Sequence, residues 1–576
     1  MLGVHEVSAS DERLTGGRAE KASEPGTTGS RNASPSRRRW RATAAWTAAG
    51  LVLAVFYVRI SDSGRIVSDG ANSALQAWDL IHGHILMHGW IFGDATYLTL
   101  ELPINGVMQL IFGLGPRATH VASALTYLIV AACAVAVAGL GGSGPARAAR
   151  AGVVVAVLSV PLTSLLALWL LLEEPDHTGT PAFLLIAVLL MDRLADRRFT
   201  APLIGVLLCV GEIGDGTVEY AVVPAIAVAC GYRALASRKL RSFDTATLVA
   251  ALASVPAQML IRWVTVRLGG YLMVPPQAFL ASPSQWLKHV PVVWLNIRHI
   301  FGAVYPTANV LGLFGGVLGM LCLLAAAVGL VRVAWSWRRA SRGDQVLALM
   351  IVLNIAVYLI SPLPQPGGYR EIVAILPCGA VLAARALVPA RLGAARPQGD
   401  GSPAARWWRA RYASVAVVLA VLAALLPLSA AATRPSAGPA IGPAPFDGWS
   451  TPTGPLTAWL EAHRYAYGLG GYWNSSIVSL QSGDRVQVRA ISIGLGRHGW
   501  FAQEPNWETN DLWFDPALHD ATFVVADPKI AWSSPADYEA TFGKPVATYR
   551  VGRWVILDYR ENLLFKVAPR PPMDSA

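Results

Sequence analysis

Apolar runs close to the roughly 20 residues that cross a bilayer as a helix recur along the whole chain. They occupy 42–60, 118–140, 151–172, 181–194, 201–210, 217–230, 247–266, 310–333, 346–360, 372–387 and 414–428. A water-soluble core has no room for so many. Composition agrees, with 54% hydrophobic and 14% charged residues, against a usual charged share of about 25%. The expected fold class is an α-helical polytopic membrane protein of about eleven spans. The net charge of +11 does not form a nucleic-acid patch, and no nucleic acid is expected as a partner. Basic residues gather in short stretches between apolar runs, such as "SRRRWR", "ARAAR", "RALASRKLR" and "RVAWSWRRASR". Cytoplasmic loops have this bias, so the N-terminus is expected inside and the C-terminus outside. Segment 103–115 is apolar but short, and counting it as a crossing would put Arg147 and Arg150 outside. It is therefore read as re-entrant or lying on the membrane surface.

Four further regions follow from composition. Residues 1–40 predict a disordered cytoplasmic tail, and the run after it reads as a retained anchor. Residues 41–432 form the membrane domain, with a first outer loop over 61–117. Residues 433–450, rich in Pro, Gly and Ala, read as a linker. Residues 451–576 read as an extracytoplasmic α/β domain. There "PLTAWLEAHRY" predicts a helix, and "IVSL", "RVQVRAISI", "ATFVVAD" and "ATYRVGRWVILDY" predict strands. The five cysteines lie in apolar segments without metal-ligand spacing.

The stretch "VSDGANSALQAWDL" opens the first outer loop. At 100° per residue, Asp69, Asn72, Gln76 and Asp79 share about a quarter of a helix, opposite Ala71, Ala74, Leu75 and Trp78. Such a helix suits the outer leaflet with its carboxylates turned from lipid, although Ser68 or Asp69 also suits a helix cap. Further outer loops repeat the theme: Asp94 and Glu101, then Asp176 and His177, then Glu212 and Asp215, then Tyr369 and Arg370. Ionisable groups at membrane depth usually face a cavity and have a task, with salt bridging among loops as the plainer account. His82, His84 and His88 give weak zinc spacing, and no metal or other cofactor is expected. In the last domain "RYAYGLGGYWNSS" and "RHGWFAQEPNWETNDLWFDP" are dense in aromatics and amides, suited to sugars but equally to a core or a membrane belt. Within the first, "NSS" fits a glycosylation acceptor, a match short enough to arise by chance.

A carboxylate can deprotonate a hydroxyl nucleophile, and a guanidinium can hold a phosphate leaving group. A membrane enzyme needing both transfers a sugar from a polyprenyl phosphate. At this point the chain resembles the GT-C superfamily of membrane glycosyltransferases, which includes protein O-mannosyltransferase-like and aminoarabinose-transferase-like enzymes. Its layout is also similar to that of actinobacterial polytopic membrane proteins. The resemblance rests on the N-terminal span, the large first outer loop, the many spans, and Asp69 placed like the acidic residue of the family's D-E-A/D-G-A type motif. It implies Asp69 as general base. Gly70 stands where the family often has a second acidic residue, so Asp79, Asp94 or Glu101 would have to supply one. Arg370, after the Pro366–Gly367–Gly368 turn, is the expected phosphate ligand, with Lys288 and Arg298 as alternatives. The expected partners are a polyprenyl-phosphate-linked sugar, a cell-envelope glycan or protein acceptor, and membrane lipid. A lipid-linked solute transporter and a non-catalytic envelope scaffold are the alternative functions.

Overall fold

In lipid every backbone N–H and C=O must bond within its own segment, which is why long apolar runs become helices. In a computed structural model of the chain, seven helices among the described residues are long and apolar enough to cross a membrane. The structure describes residues 35–64, 66–142, 144–164, 171–172, 177–239, 241–274, 280–304, 310–365, 368–389, 421–423, 425–430, 453–497, 499–530 and 532–570. The chain divides into two units, Met1–Ala49 and Gly50–Ala576. In the first, the described residues are the start of helix α1, Pro35–Ser61.

The seven candidate spans are Thr43–Ser61, Pro116–Ala138, Gly144–Thr163, Val218–Ser237, Phe243–Arg267, Gly312–Trp335 and Arg342–Ile360. Three more expected spans are shorter helices, Thr180–Arg193, Thr200–Gly214 and Ile375–Leu387, of 14, 15 and 13 residues. Among the described residues, seven of the eleven expected crossings therefore reach full spanning length. The expected span at 414–428 falls largely outside the described residues, as do the 433–450 linker and most of the 1–40 tail. Helices pack by small residues: a Cβ on Gly205 would lie 3.0 Å from the Ala250 carbonyl oxygen, and one on Gly329 2.6 Å from Leu382 backbone. Such contacts let helix axes approach closely where lipid supplies no hydrophobic drive.

Two helices shape the first outer loop, α2 (Ser68–Ile81) and α3 (Glu101–Phe112). The 12 residues of α3 rise only about 18 Å, too short to cross. It exposes Val107, Leu110, Ile111 and Phe112, as a membrane-surface segment would. Helix α2 departs from the expectation of a surface helix. Ser68, Gly70–Ala77 and thus most of its length are buried. Ala71 and Ala74 pack on Leu480 of the last domain, while Leu75 and Ala77 join a cluster with Trp90, Phe92 and Tyr271. Of its polar stripe, Asn72 and Gln76 are buried by protein, and Asp69 and Asp79 are half-buried.

The C-terminal region has the expected α/β character. Five strands lie in the order β4 (Gln487–Ala490), β3 (Tyr467–Gly470), β8 (Phe523–Ala526), β10 (Trp554–Asp558) and β9 (Ala547–Val551). Strand β3 runs parallel to both neighbours, and β10 antiparallel to both of its own. One expected strand is corrected: "IVSL" lies inside the helix Tyr472–Ser482. Parallel β3 and β4 need a crossover between them, and this helix supplies it. A separate sheet joins distant parts of the chain. Strand β1 (Trp90–Phe92) of the first loop pairs in parallel with β2 (Leu272–Met273) and antiparallel with β7 (Thr509–Asn510). Trp513 packs edge-on against Trp90 at 4.9 Å. The last domain is thereby stitched onto the first loop.

Candidate functional site

Asp69 sits in the first turn of α2, where a carboxylate is favoured by the helix dipole. Its Oδ1 accepts a hydrogen bond from the Tyr472 hydroxyl at 2.5 Å. That hydroxyl also lies 2.7 Å from Glu508 Oε2, and Asn72 Nδ2 donates to the same Glu508 oxygen at 3.2 Å. Ser476 donates to Asn72 Oδ1, and Ser68 donates to the Tyr472 carbonyl at 2.7 Å. The start of α2 and the Tyr472–Ser482 helix are thus joined by polar contacts. Burial, then the charges of Asp69 and Glu508, pushes the Tyr472 hydroxyl well above its usual pKa. It stays a donor at neutral pH.

On the other side of Asp69, Arg370 Nη1 lies 4.0 Å from Oδ2, and Arg370 Nε lies 3.9 Å from Glu371 Oε1. Glu371 carries the site onward: its Oε2 is 3.9 Å from His177 Nε2 and 3.4 Å from the Tyr220 hydroxyl. His177 Nδ1 is 2.8 Å from Asp215 Oδ2. Thr180 donates to that same oxygen, and the Thr217 N–H donates to Oδ1 at 2.8 Å. Burial alone would raise the Asp215 carboxyl, but His177 and these donors hold it below the usual range. Asp215 therefore fixes the His177 ring and turns Nε2 toward Glu371.

Glu101 begins α3 and accepts from the Gly179 N–H at 3.0 Å. Burial, reinforced by the Asp215 charge, pushes its carboxyl up to about 8. Backbone strain gathers here too. Tyr97, His177 and Glu508 take positive φ of 53°, 57° and 43°, a conformation costing on the order of 1–3 kcal/mol per residue. The Tyr97 and His177 rings meet edge-on at 5.8 Å. The loop bearing Tyr97 is held by the Gly214 carbonyl, which accepts from the N–H groups of Thr96 and Tyr97.

Among the described residues one cluster could hold a metal ion: Asp94, His177 and Glu371 place one ligand atom each within 4.8 Å of one another. The sequence did not reveal it, because its members lie far apart along the chain. The three histidines singled out for zinc spacing are engaged elsewhere. His82 contacts the Trp78 carbonyl and His88 the Gly269 carbonyl, while His84 faces Asp79 at 3.9 Å.

The structure thus brings together Asp69, Asp94, Glu101, His177, Asp215 and Arg370, and leaves other expected residues apart. Asp79 accepts from Trp90 Nε1 at 2.8 Å and supports β1. Glu212 accepts from Ser254 and faces the Phe243–Arg267 helix, because it lies inside the Thr200–Gly214 helix and not in the loop after it. Arg298 closes its own helix end by donating to the Ala303 carbonyl at 3.1 Å. Lys288 is exposed on that helix, Pro283–Ile300. Asp176 and the Tyr369 side chain fall outside the described residues. Tyr472 and Glu508 were missed as site residues. Both lie in the aromatic stretches noted for sugars, and nothing local distinguishes them. Asn474 of the "NSS" match is buried, against a glycosylation role.

No protein-family model matches the chain, and no curated protein does either. Among solved structures, ArnT from Cupriavidus metallidurans in the apo state aligns with a TM-score of 0.52 at 14% identity, covering 92% of this chain and 100% of ArnT. The chain shares the fold of this ArnT. The same ArnT bound to undecaprenyl phosphate aligns with a TM-score of 0.49 at 14% identity, over 89% of this chain and 98% of that one. An Archaeoglobus fulgidus oligosaccharyltransferase tethered to an acceptor peptide gives 0.39 at 12% identity, over 83% and 69%. With seven candidate spans among its described residues, the chain is a multi-pass membrane protein.

Proposed function

We propose that this chain is a membrane glycosyltransferase that moves a sugar from a polyprenyl-phosphate donor to a hydroxyl of a cell-envelope glycan or protein. The observation that carries the reading is the Arg370 guanidinium 4.0 Å from the Asp69 carboxylate. A phosphate ligand beside a base is the pair such a transfer needs. The acceptor O–H gives its proton to Asp69, and its oxygen bonds the anomeric carbon. The bond from that carbon to the phosphate oxygen breaks, and the electron pair leaves with the phosphate on Arg370. Tyr472 holds Asp69 by one oxygen and leaves the other toward Arg370. The exposed apolar face of α3 suits membrane lipid beside the site. ArnT, whose fold the chain shares, has been crystallised with undecaprenyl phosphate. Basic flanks at the opposite helix ends support a site and C-terminal domain on the non-cytoplasmic side.

Mass spectrometry of cell-envelope glycans tests the reading. Cells lacking the protein are compared with cells carrying the wild type or Asp69→Asn at equal membrane level. Wild type should restore a glycan modification, and Asp69→Asn should form it about 10²–10⁴-fold more slowly. Glycans that do not differ with and without the protein would overturn the transferase reading. Wild-type rates from Asp69→Asn would overturn the base assignment alone.

A further inference from the structure

Helix α4, Pro116–Ala138, begins beside α2 and α3, and its 23 residues carry it about 35 Å to the far end of the bundle. A cavity of about 370 Å³ opens at that far end, lined by Arg150, Arg332, Arg339, Arg385, Asp192 and Asp344. Four arginines against two aspartates leave it positive by two charges. Part of this basic set has structural work. Arg150 donates to the Ala138 and Leu140 carbonyls at 2.9 and 3.0 Å, closing the end of α4. Arg332 donates to the Ala386 carbonyl at 2.8 Å, and Arg385 pairs with Asp344.

That work does not exhaust the donors. Arg385 Nε is buried with no hydrogen-bond partner among the described residues. Arg339 makes no side-chain hydrogen bond or ion pair among the described residues, although it lines the cavity. Leu140, Val333 and Leu382 give the cavity apolar walls. On the helices that carry Arg332 and Arg385, Val331, Trp335 and Leu387 are exposed. A polar, cationic floor opening beside an apolar, Trp-bearing face combines charge for a phosphate with contact for a lipid chain.

We propose that this cavity is a binding site for a phosphate-bearing anion, separate from the Asp69–Arg370 site at the other end of the bundle. An anionic phospholipid headgroup and a soluble phosphate share the chemistry that the guanidinium groups recognise.

Native mass spectrometry of the purified full chain, incubated with phosphatidylglycerol or phosphatidylcholine, reads the first source. Unfolding midpoint against inorganic phosphate reads the second. Arg339→Gln and Arg332→Gln/Arg339→Gln are the test variants, chosen at exposed positions. Preferential retention of phosphatidylglycerol is expected, weakened about tenfold for each guanidinium removed, while Arg370→Ala leaves it unchanged. Stabilisation by inorganic phosphate that the double variant loses, without preference for phosphatidylglycerol, supports the site and assigns it to a soluble ligand. The proposal is overturned if neither probe binds. It is also overturned if the double variant binds both probes as the wild type does, or if Arg370→Ala is the variant that loses phosphatidylglycerol.

Discussion

Tyr472→Phe removes one oxygen and leaves the ring, so it isolates the hydroxyl that joins the last domain to Asp69. That hydroxyl lies 2.5 Å from Asp69 Oδ1 and 2.7 Å from Glu508 Oε2. It has one proton and can donate to only one carboxylate at a time. The loss is therefore one hydrogen bond to a charged group, about 1.5–3 kcal/mol. The domain should stay docked, because Trp90↔Asn510 and Ile91↔Thr509 still pair and Trp513 still packs on Trp90. The cost should appear as easier local opening of the start of α2. Amide exchange over 68–76 should quicken about 10–150-fold, with exchange in β8 and β10 unchanged. Burial and the two carboxylates hold the hydroxyl well above its usual pKa. The ratio of exchange rates should accordingly be the same at pH 6 and pH 8. Hydrogen exchange read by mass spectrometry in lipid nanodiscs measures this. Equal exchange over 68–76 in the two proteins would refute the argument that Tyr472 holds the Asp69 helix.

Glu101→Gln should flatten the pH dependence of stability: the buried carboxyl is raised from 4.5 to about 8, so the fold favours the protonated form. Glu101's contribution to stability should be full below 4.5, fall as pH rises toward about 8 and then level off; the same change in unfolding midpoint between pH 5 and pH 8 in both proteins would reject this. Arg370→Lys should weaken binding of a polyprenyl-phosphate analogue in nanodiscs although charge is kept, since only Arg offers a planar fork, and Arg370→Ala should weaken it further. Undiminished binding by both would move the phosphate site to the Lys288–Arg298 helix. For orientation, Ala340→Cys in a chain without its five native cysteines should resist a membrane-impermeant thiol reagent added outside the cell. Labelling there would invert the topology.

Legibility differed by element. The apolar runs gave helices because length and hydropathy act locally. The strands of "ATFVVAD" and of "ATYRVGRWVILDY" were readable from β-branched content, and β8, β9 and β10 are found there. "IVSL" has the same content and is helical, because the sheet needs a crossover between β3 and β4 and tertiary demand overrides β-propensity. The polar stripe of α2 was legible as a stripe, but its cover was not. Periodicity says which residues share a face and cannot say whether lipid, water or another domain meets it.

By itself the sequence determined a many-helix membrane chain, an α/β domain at its end, and a row of carboxylates and one arginine in the loops between. Each depends on a property of neighbouring residues: run length, alternation or charge beside an apolar segment. Only the tertiary structure decided the site. Asp69 and Tyr472 are 403 positions apart, and His177 meets Asp215 across 38 and Glu371 across many more. Such pairs are set by the β1–β7 stitch and by the glycine-mediated approach of helices, which sum over contacts no short window contains. The same holds for burial. Glu101 is an ordinary glutamate in the sequence, and its raised proton affinity comes from burial and from the charge of distant Asp215, both of which only the fold supplies.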